Sequence, residues 1–404
     1  MPKLKRGSTQ TLERLIDHFP VIGLTGARQV GKTTLIRHLQ ERGFDYVSLD
    51  DPFEREQAFF DPGLFLTKFH FPLIIDEIQH VPALLDLIKL ECDQLPVGSE
   101  CKTRFVMSGS QHFRLMETAE QSLAGRMVTA VLPPFSLLEV RTEPPLSPIA
   151  QFRLACESGL FPGSYTLGFP ESRYWFGAYL QTYLERDVRT LYGIQNLMVF
   201  QRFVRLLASQ AGKILNFAYL ANQLDLSVNT IKRWVQILQA GHMVILLPAY
   251  YQSFGRRIIQ APKLYFSDIG LLCYLLGLQK INPDHPMFGL LFENFCIQEI
   301  SKYFWIKGQE PRLYYFRTTN GLEISTLMEV AEKTYSLSYL PSTTYQTLFE
   351  KKVAKINRVF PKDFDVLSKV LYLGQCVLKK SSGLGLYPID QFLTFLNSIE
   401  PKSG

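Results

Sequence analysis

The sequence reads as an α/β protein with three parts. A parallel sheet covered by helices is expected over residues 1–145, a helical region with a helix-turn-helix over 146–284, and a small α/β domain over 285–404. Three observations predict this. Residues 1–140 alternate strand-like and helix-like segments. A glycine loop of the form G-x-x-x-x-G-K-[ST] stands between the first strand and the following helix. Residues 211–263 hold two short helical patterns, then two apolar runs, with positive charge concentrated among them.

The loop is Gly26-Ala27-Arg28-Gln29-Val30-Gly31-Lys32-Thr33, followed by Thr34. Val21 to Leu24 reads as the buried strand before it, and Thr34 to Leu39 has helical spacing after it. Gly26 and Gly31 let the backbone curl so that successive N–H groups face phosphate oxygens. Lys32 would reach the β- and γ-phosphates, and Thr33 would coordinate Mg²⁺. The loop, from Gly26 through Thr34, is therefore the candidate ATP cradle.

Phe44 to Leu49 reads as the next strand, and Pro72-Leu73-Ile74-Ile75-Asp76-Glu77 as another, closed by two acids. In a parallel sheet a strand's C-terminal end opens onto the nucleotide, so Asp76 and Glu77 are expected beside the phosphates. Asp76 would hold Mg²⁺ through water, and Glu77 would orient the attacking water. Arg104 to Met107 ends in Ser108-Gly109-Ser110-Gln111. Ser110 would contact the γ-phosphate or that water, unless the stretch is only a serine-rich turn. Arg126, before the run Val128 to Leu132, is either a phosphate-sensing guanidinium or a surface arginine at a helix end. An Asn-Lys-x-Asp guanine-reading motif does not occur.

These residues resemble the AAA+ ATPases of bacteria and archaea that share a C-terminal region of unknown function. The resemblance is carried by Leu24 to Thr34, Ile75-Asp76-Glu77-Ile78-Gln79, Ser108-Gly109-Ser110 and Leu123-Ala124-Gly125-Arg126. It implies ATP binding and hydrolysis at these positions, in a protein that self-associates or is gated by a partner.

Pro133 to Pro148 is proline-rich and reads as a boundary. Tyr174 to Arg189 has helical spacing and similarity to the family's tyrosine-rich helix closing in an acid, though its charges also fit an internally salt-bridged helix. In the helix-turn-helix, Phe217 to Leu224 is the first helix, Ser227 an N-cap, and Val228 to Leu238 the second helix. Val228, Ile231, Val235 and Leu238 would face the core, leaving Asn229, Thr230, Lys232 and Arg233 outward. Met243 to Leu247 and Leu264 to Phe266 would be wing strands, with Arg256 and Arg257 between them. Six basic residues (Lys213, Lys232, Arg233, Arg256, Arg257, Lys263) face one acid, Asp225, in this stretch. That is the footprint of a double-stranded DNA reader, with Asn229, Lys232, Arg233, Arg256 and Arg257 as contacts. A winged helix used only for protein packing has the same pattern.

The last part resembles a restriction-nuclease-type fold. Where the family shows Glu-x-Asp on the returning strand, this chain has Glu323-Ile324-Ser325, and Ser336 to Tyr339 is neutral where Glu-x-Lys is usual. Glu293 and Glu323 are too few to hold a catalytic metal, while Asp363 and Asp365 are the acids that could fold back. The domain is expected to be degenerate.

Composition sets the outer bounds. With 47% hydrophobic and 20% charged residues and a net charge of +6, the chain is an ordinary globular protein. Six scattered cysteines without a C-x-x-C pair fit buried thiols in a reducing compartment. No apolar run approaches the ~20 residues of a membrane span, so a cytoplasmic protein without a membrane partner is expected.

Overall fold

The computed structural model describes residues 4–94, 103–109, 123–191, 194, 196–250, 261–317, 323–344, 366–379 and 384–400. They divide into two compact units. One unit is residues 1–135 with the short segments 240–242 and 304–309; the other is the remainder.

The first unit is a sheet of five strands, β1 (Val21–Thr25), β2 (Asp45–Ser48), β3 (Leu73–Asp76), β4 (Phe105–Ser108) and β5 (Met127–Val131). Their order is β2-β3-β4-β1-β5, and every pairing is parallel. The runs Val21-Ile22, Leu73-Ile74-Ile75 and Phe105-Val106-Met107 are wholly buried, as expected for strands covered on both faces. Because the strands are parallel, Thr25, Ser48, Asp76 and Ser108 end on one edge. The intervening helices start where their sequences dictate. Asp51 Oδ1 accepts from the Phe53 N–H ahead of the helix Pro52–Phe60, and Asp61 Oδ1 accepts from the Leu64 N–H ahead of Pro62–Leu66.

The second unit opens with the helices Pro148–Ser158, Pro162–Leu167 and Ser172–Thr182. The last continues as a π-helical stretch, Tyr183–Leu191. Then follow the helices Leu197–Ala208, Phe217–Leu224 and Val228–Ala240 and an antiparallel pair, β6 (Val244–Leu247) with β7 (Lys263–Phe266). Helices Ile269–Leu275 and Phe288–Ile306 lead to a mixed six-stranded sheet of order β12-β13-β11-β10-β9-β8. Its strands are β8 (Leu313–Arg317), β9 (Glu323–Val330), β10 (Lys333–Leu340), β11 (Val366–Tyr372), β12 (Leu378–Lys379) and β13 (Gly385–Tyr387). The helix Phe288–Ile306 belongs to the same unit as its predecessors: Phe152 packs on Phe288, Phe292 and Phe295, and the buried Asn294 side chain bonds both the N–H and the C=O of Phe266. Among the described residues no helix is long and apolar enough to cross a membrane.

Candidate functional site

The glycine loop follows β1 and is built as its chemistry requires. Gly26 has φ +142°, and a Cβ there would stand 2.2 Å from the Leu132 carbonyl oxygen, so only glycine fits beside the end of β5. Gly31 has φ +97° and leads directly into the helix Lys32–Arg37. Lys32 is buried, and its Nζ donates to the carbonyls of Gly26 (2.9 Å) and Ala27 (3.0 Å). Arg6 braces the loop from behind: its guanidinium donates to Val30 O and Pro133 O, both at 2.6 Å, and lies over the Phe135 ring. Of the remaining loop residues, Val30 is buried while Gln29 and Thr34 are exposed.

Asp76, at the end of β3, is the hub. Its Oδ2 accepts from the Thr33 hydroxyl (2.7 Å) and the Tyr46 hydroxyl (2.9 Å), and its Oδ1 accepts from the Ser108 hydroxyl. It is 2% exposed. Thr33 and Asp76 thus meet as the sequence predicts, and Ser108 ties β4 into the same centre. Tyr46, on β2, was not foreseen. Burial raises its pKa and Asp76 adds to the shift, while the Arg37 hydrogen bond opposes it; Tyr46 therefore stays a neutral donor. Glu77 follows in the left-handed region, φ +57°, with its carboxylate accepting from the Gln79 side-chain amide. His242 also belongs to this unit; burial, and then the Lys32 charge, lower its pKa to about 4.

Two of the expected catalytic residues fare differently. Ser110 lies outside the described residues, so Ser108 is the serine of that strand seen to touch Asp76. Arg126 precedes β5, where its carbonyl accepts from Val21 N, the first residue of β1. The phosphate loop leaves the other end of β1, five residues and roughly 15 Å away. Arg126 pairs with Asp93.

In the helix-turn-helix stretch, the Ser227 hydroxyl accepts from Thr230 N (3.0 Å) and caps the second helix as expected. Asn229, Lys232 and Arg233 are exposed; Arg256 and Arg257 lie outside the described residues. Two readings are corrected. Val228 is 38% exposed, and Trp234, packed between Phe200 and Phe203, fills the core instead. Lys263, counted above with the DNA-facing charge, is 3% exposed, and its Nζ stands 2.6 Å from Glu323 and 3.6 Å from Glu293. Arg317 is 3.6 Å from the second Glu323 oxygen, and Tyr265 donates to Glu293 at 2.6 Å. Glu293 and Glu323 therefore do converge, around an ammonium of the chain itself. Among the described residues no group of three or more His, Cys, Asp or Glu could hold a metal ion. Asp363 and Asp365 lie outside them.

Residues 18–141 match the family model of the AAA domain. The parallel sheet and its loop are thus a P-loop fold of AAA+ architecture. Residues 149–282 and 288–365 match two domains of unknown function, DUF8612 and DUF4143. The uncharacterized proteins Rv2008c of Mycobacterium tuberculosis and Mb2031c of Mycobacterium bovis are each 28% identical over 396 residues, covering 96% of this chain and 85% of theirs. Among solved structures, the Walker-type ATPase PABY2304 of Pyrococcus abyssi is similar at 13% identity and TM-score 0.41, covering 68% of this chain and 98% of that one.

Proposed function

We propose that the protein binds ATP with Mg²⁺ at Gly26–Thr34 and hydrolyses it. The observation that carries this is the meeting of Thr33 with Asp76, with Glu77 next in sequence. The donor set fits a hard cation, because a hydroxyl and a carboxylate leave the remaining positions to phosphate oxygens and water. Bound Mg²⁺ supplies neutralisation of charge on the phosphates. The chain's own groups do the rest. Lys32 exchanges neutral loop carbonyls for phosphate oxygens, a stronger, charge-assisted pairing. Glu77 orients the attacking water and accepts its proton. Arg126 contributes only to a neighbouring subunit's site, which makes turnover depend on self-association.

ATP turnover is coupled to duplex DNA through residues 211–263, a winged helix whose exposed Asn229, Lys232 and Arg233, with Arg256 and Arg257, meet the phosphates and bases. A second reading, a nucleotide-dependent protein adaptor without DNA, is favoured by a different observation. Phe53, Phe59, Phe60 and Leu64 are 65%, 71%, 76% and 65% exposed on adjacent helices, an apolar surface suited to a protein partner. Steady-state ATPase with and without duplex DNA separates the two, since only the DNA reading predicts stimulation. Lys32→Ala should abolish ATP binding. Glu77→Gln should retain it while kcat falls by roughly a thousandfold. Wild-type turnover by Glu77→Gln would show that the strand's roles are misassigned.

A further inference from the structure

Glu77 does not stand alone. Its carboxylate accepts from the side-chain N–H of Gln79, two residues on. Gln79 is only 9% exposed, and its other amide atom, Oε1, is buried and without a hydrogen-bond partner among the described residues. The amide's orientation follows from its partner, because only the NH₂ end can donate to a carboxylate. The oxygen is thereby turned to Gly109, where a Cβ would stand 2.9 Å from it. Gly109 is the first residue beyond β4, next to the Ser108 that donates to Asp76. One side chain thus touches the carboxylate after β3 and backs onto the end of β4.

A merely structural residue here would be expected to be apolar, since burying an unmatched carbonyl costs stability. Gln79 accepts that cost beside the group assigned to activate water. Glu77 itself is held in a left-handed backbone conformation that a glutamate does not favour, which fixes the direction in which its side chain leaves the strand.

We infer that Gln79 is the positioning residue for Glu77: its amide N–H holds one carboxylate oxygen, leaving the other aimed at the water. The inference rests on the reading of Glu77 given above. An N–H donated to one carboxylate oxygen fixes the rotation of the group and so orients the base. A lost orientation of this kind costs about 10²-fold in rate.

The experiment uses the full-length protein and compares wild type with Gln79→Met, nearly isosteric and without the donor, and with Gln79→Glu, which sets a like charge against Glu77. Steady-state ATPase, binding of a fluorescent ATP analogue and thermal unfolding are measured for each. The expected result is a kcat lower by about 30–100-fold with KM and nucleotide affinity within twofold of wild type. In a Glu77→Gln background, Gln79→Met should have no further effect. Gln79→Glu keeps the test valid if the methionine variant unfolds. A kcat within threefold of wild type, a rise in kcat, or an equal fall in the Glu77→Gln background would overturn the inference alone. An inactive wild type would overturn the hydrolytic reading and this one with it.

Discussion

Asp76 and the pair Glu293–Glu323 are both carboxylate centres drawn from several secondary-structure elements, and they differ in the charge of their partners. Asp76 accepts from three hydroxyls, those of Thr33, Tyr46 and Ser108, all neutral. Glu293 and Glu323 face the Lys263 ammonium, with Arg317 on the outer Glu323 oxygen. Neutral donors orient a carboxylate and leave its charge for an incoming cation. An internal ammonium consumes that charge. The same carboxylate group is thus met by neutral hydroxyls in one unit and by cations of the fold in the other.

Removing the internal cation breaks the comparison most strongly. Lys263→Met leaves two carboxylates close together, 20% and 32% exposed in their side chains, without their shared partner. Breaking such a pair should destabilise the second unit by about 3 kcal/mol in urea unfolding, and Glu323→Gln in the same chain should recover part of it. Added Mn²⁺ should raise the unfolding temperature of Lys263→Met by more than that of wild type. Wild type should not cleave supercoiled DNA with Mg²⁺ or Mn²⁺, because Ser325 stands where a third carboxylate would be needed. Nicking that survives in Lys32→Ala and vanishes in Glu323→Ala would show that the centre is a live metal site.

The contrast also explains what could be read in advance. The loop Gly26–Thr33 and the acids Asp76 and Glu77 are local patterns, each fixed by one strand end, and the sheet's parallel order brings them to one edge. Tyr46 and Ser108 join them through strand register, pairing Ser48 with Asp76 and Leu24 with Ser108, which no local pattern specifies. Lys263 looked like one more positive charge of a DNA face because its acidic partners lie on a distant helix and strand. Arg126 reads in sequence as either a phosphate sensor or a surface arginine, and its carbonyl accepts from Val21 N at the start of β1. Charge counted along a chain says little about which charges reach solvent.

A smaller effect sharpens the same point on the helix-turn-helix. Lys232 and Arg233 are exposed, so replacing both by Glu should weaken duplex binding by about 10–100-fold and lower the slope of log affinity against log salt by roughly two. Lys263→Gln, measured alongside by fluorescence anisotropy, should leave that slope unchanged, since its ammonium does not face solvent. Equal affinities for all three proteins would favour the adaptor reading.

The smallest predicted effect concerns the cation of the nucleotide unit itself. His242 has φ +52°, and its pKa is lowered to about 4 by burial first and by the Lys32 charge second. An unfolded histidine titrates near 6.5. Between these values the unfolded chain takes up a proton that the folded protein refuses, so stability falls as the pH drops from about 6.5 to about 4. His242→Asn keeps a side chain that tolerates the left-handed backbone and removes the titration. Relative to wild type it should therefore be less acid-sensitive, by about 2 kcal/mol at pH 5, with the difference vanishing above pH 7. Lys32→Ala should narrow the window from its acid end, because the like charge that helps depress the histidine is gone. Urea unfolding from pH 7.5 to 4.5 measures both. A wild-type to His242→Asn difference that stays constant across that range would show that the histidine titrates as it does in water, and that Lys32 does not reach it.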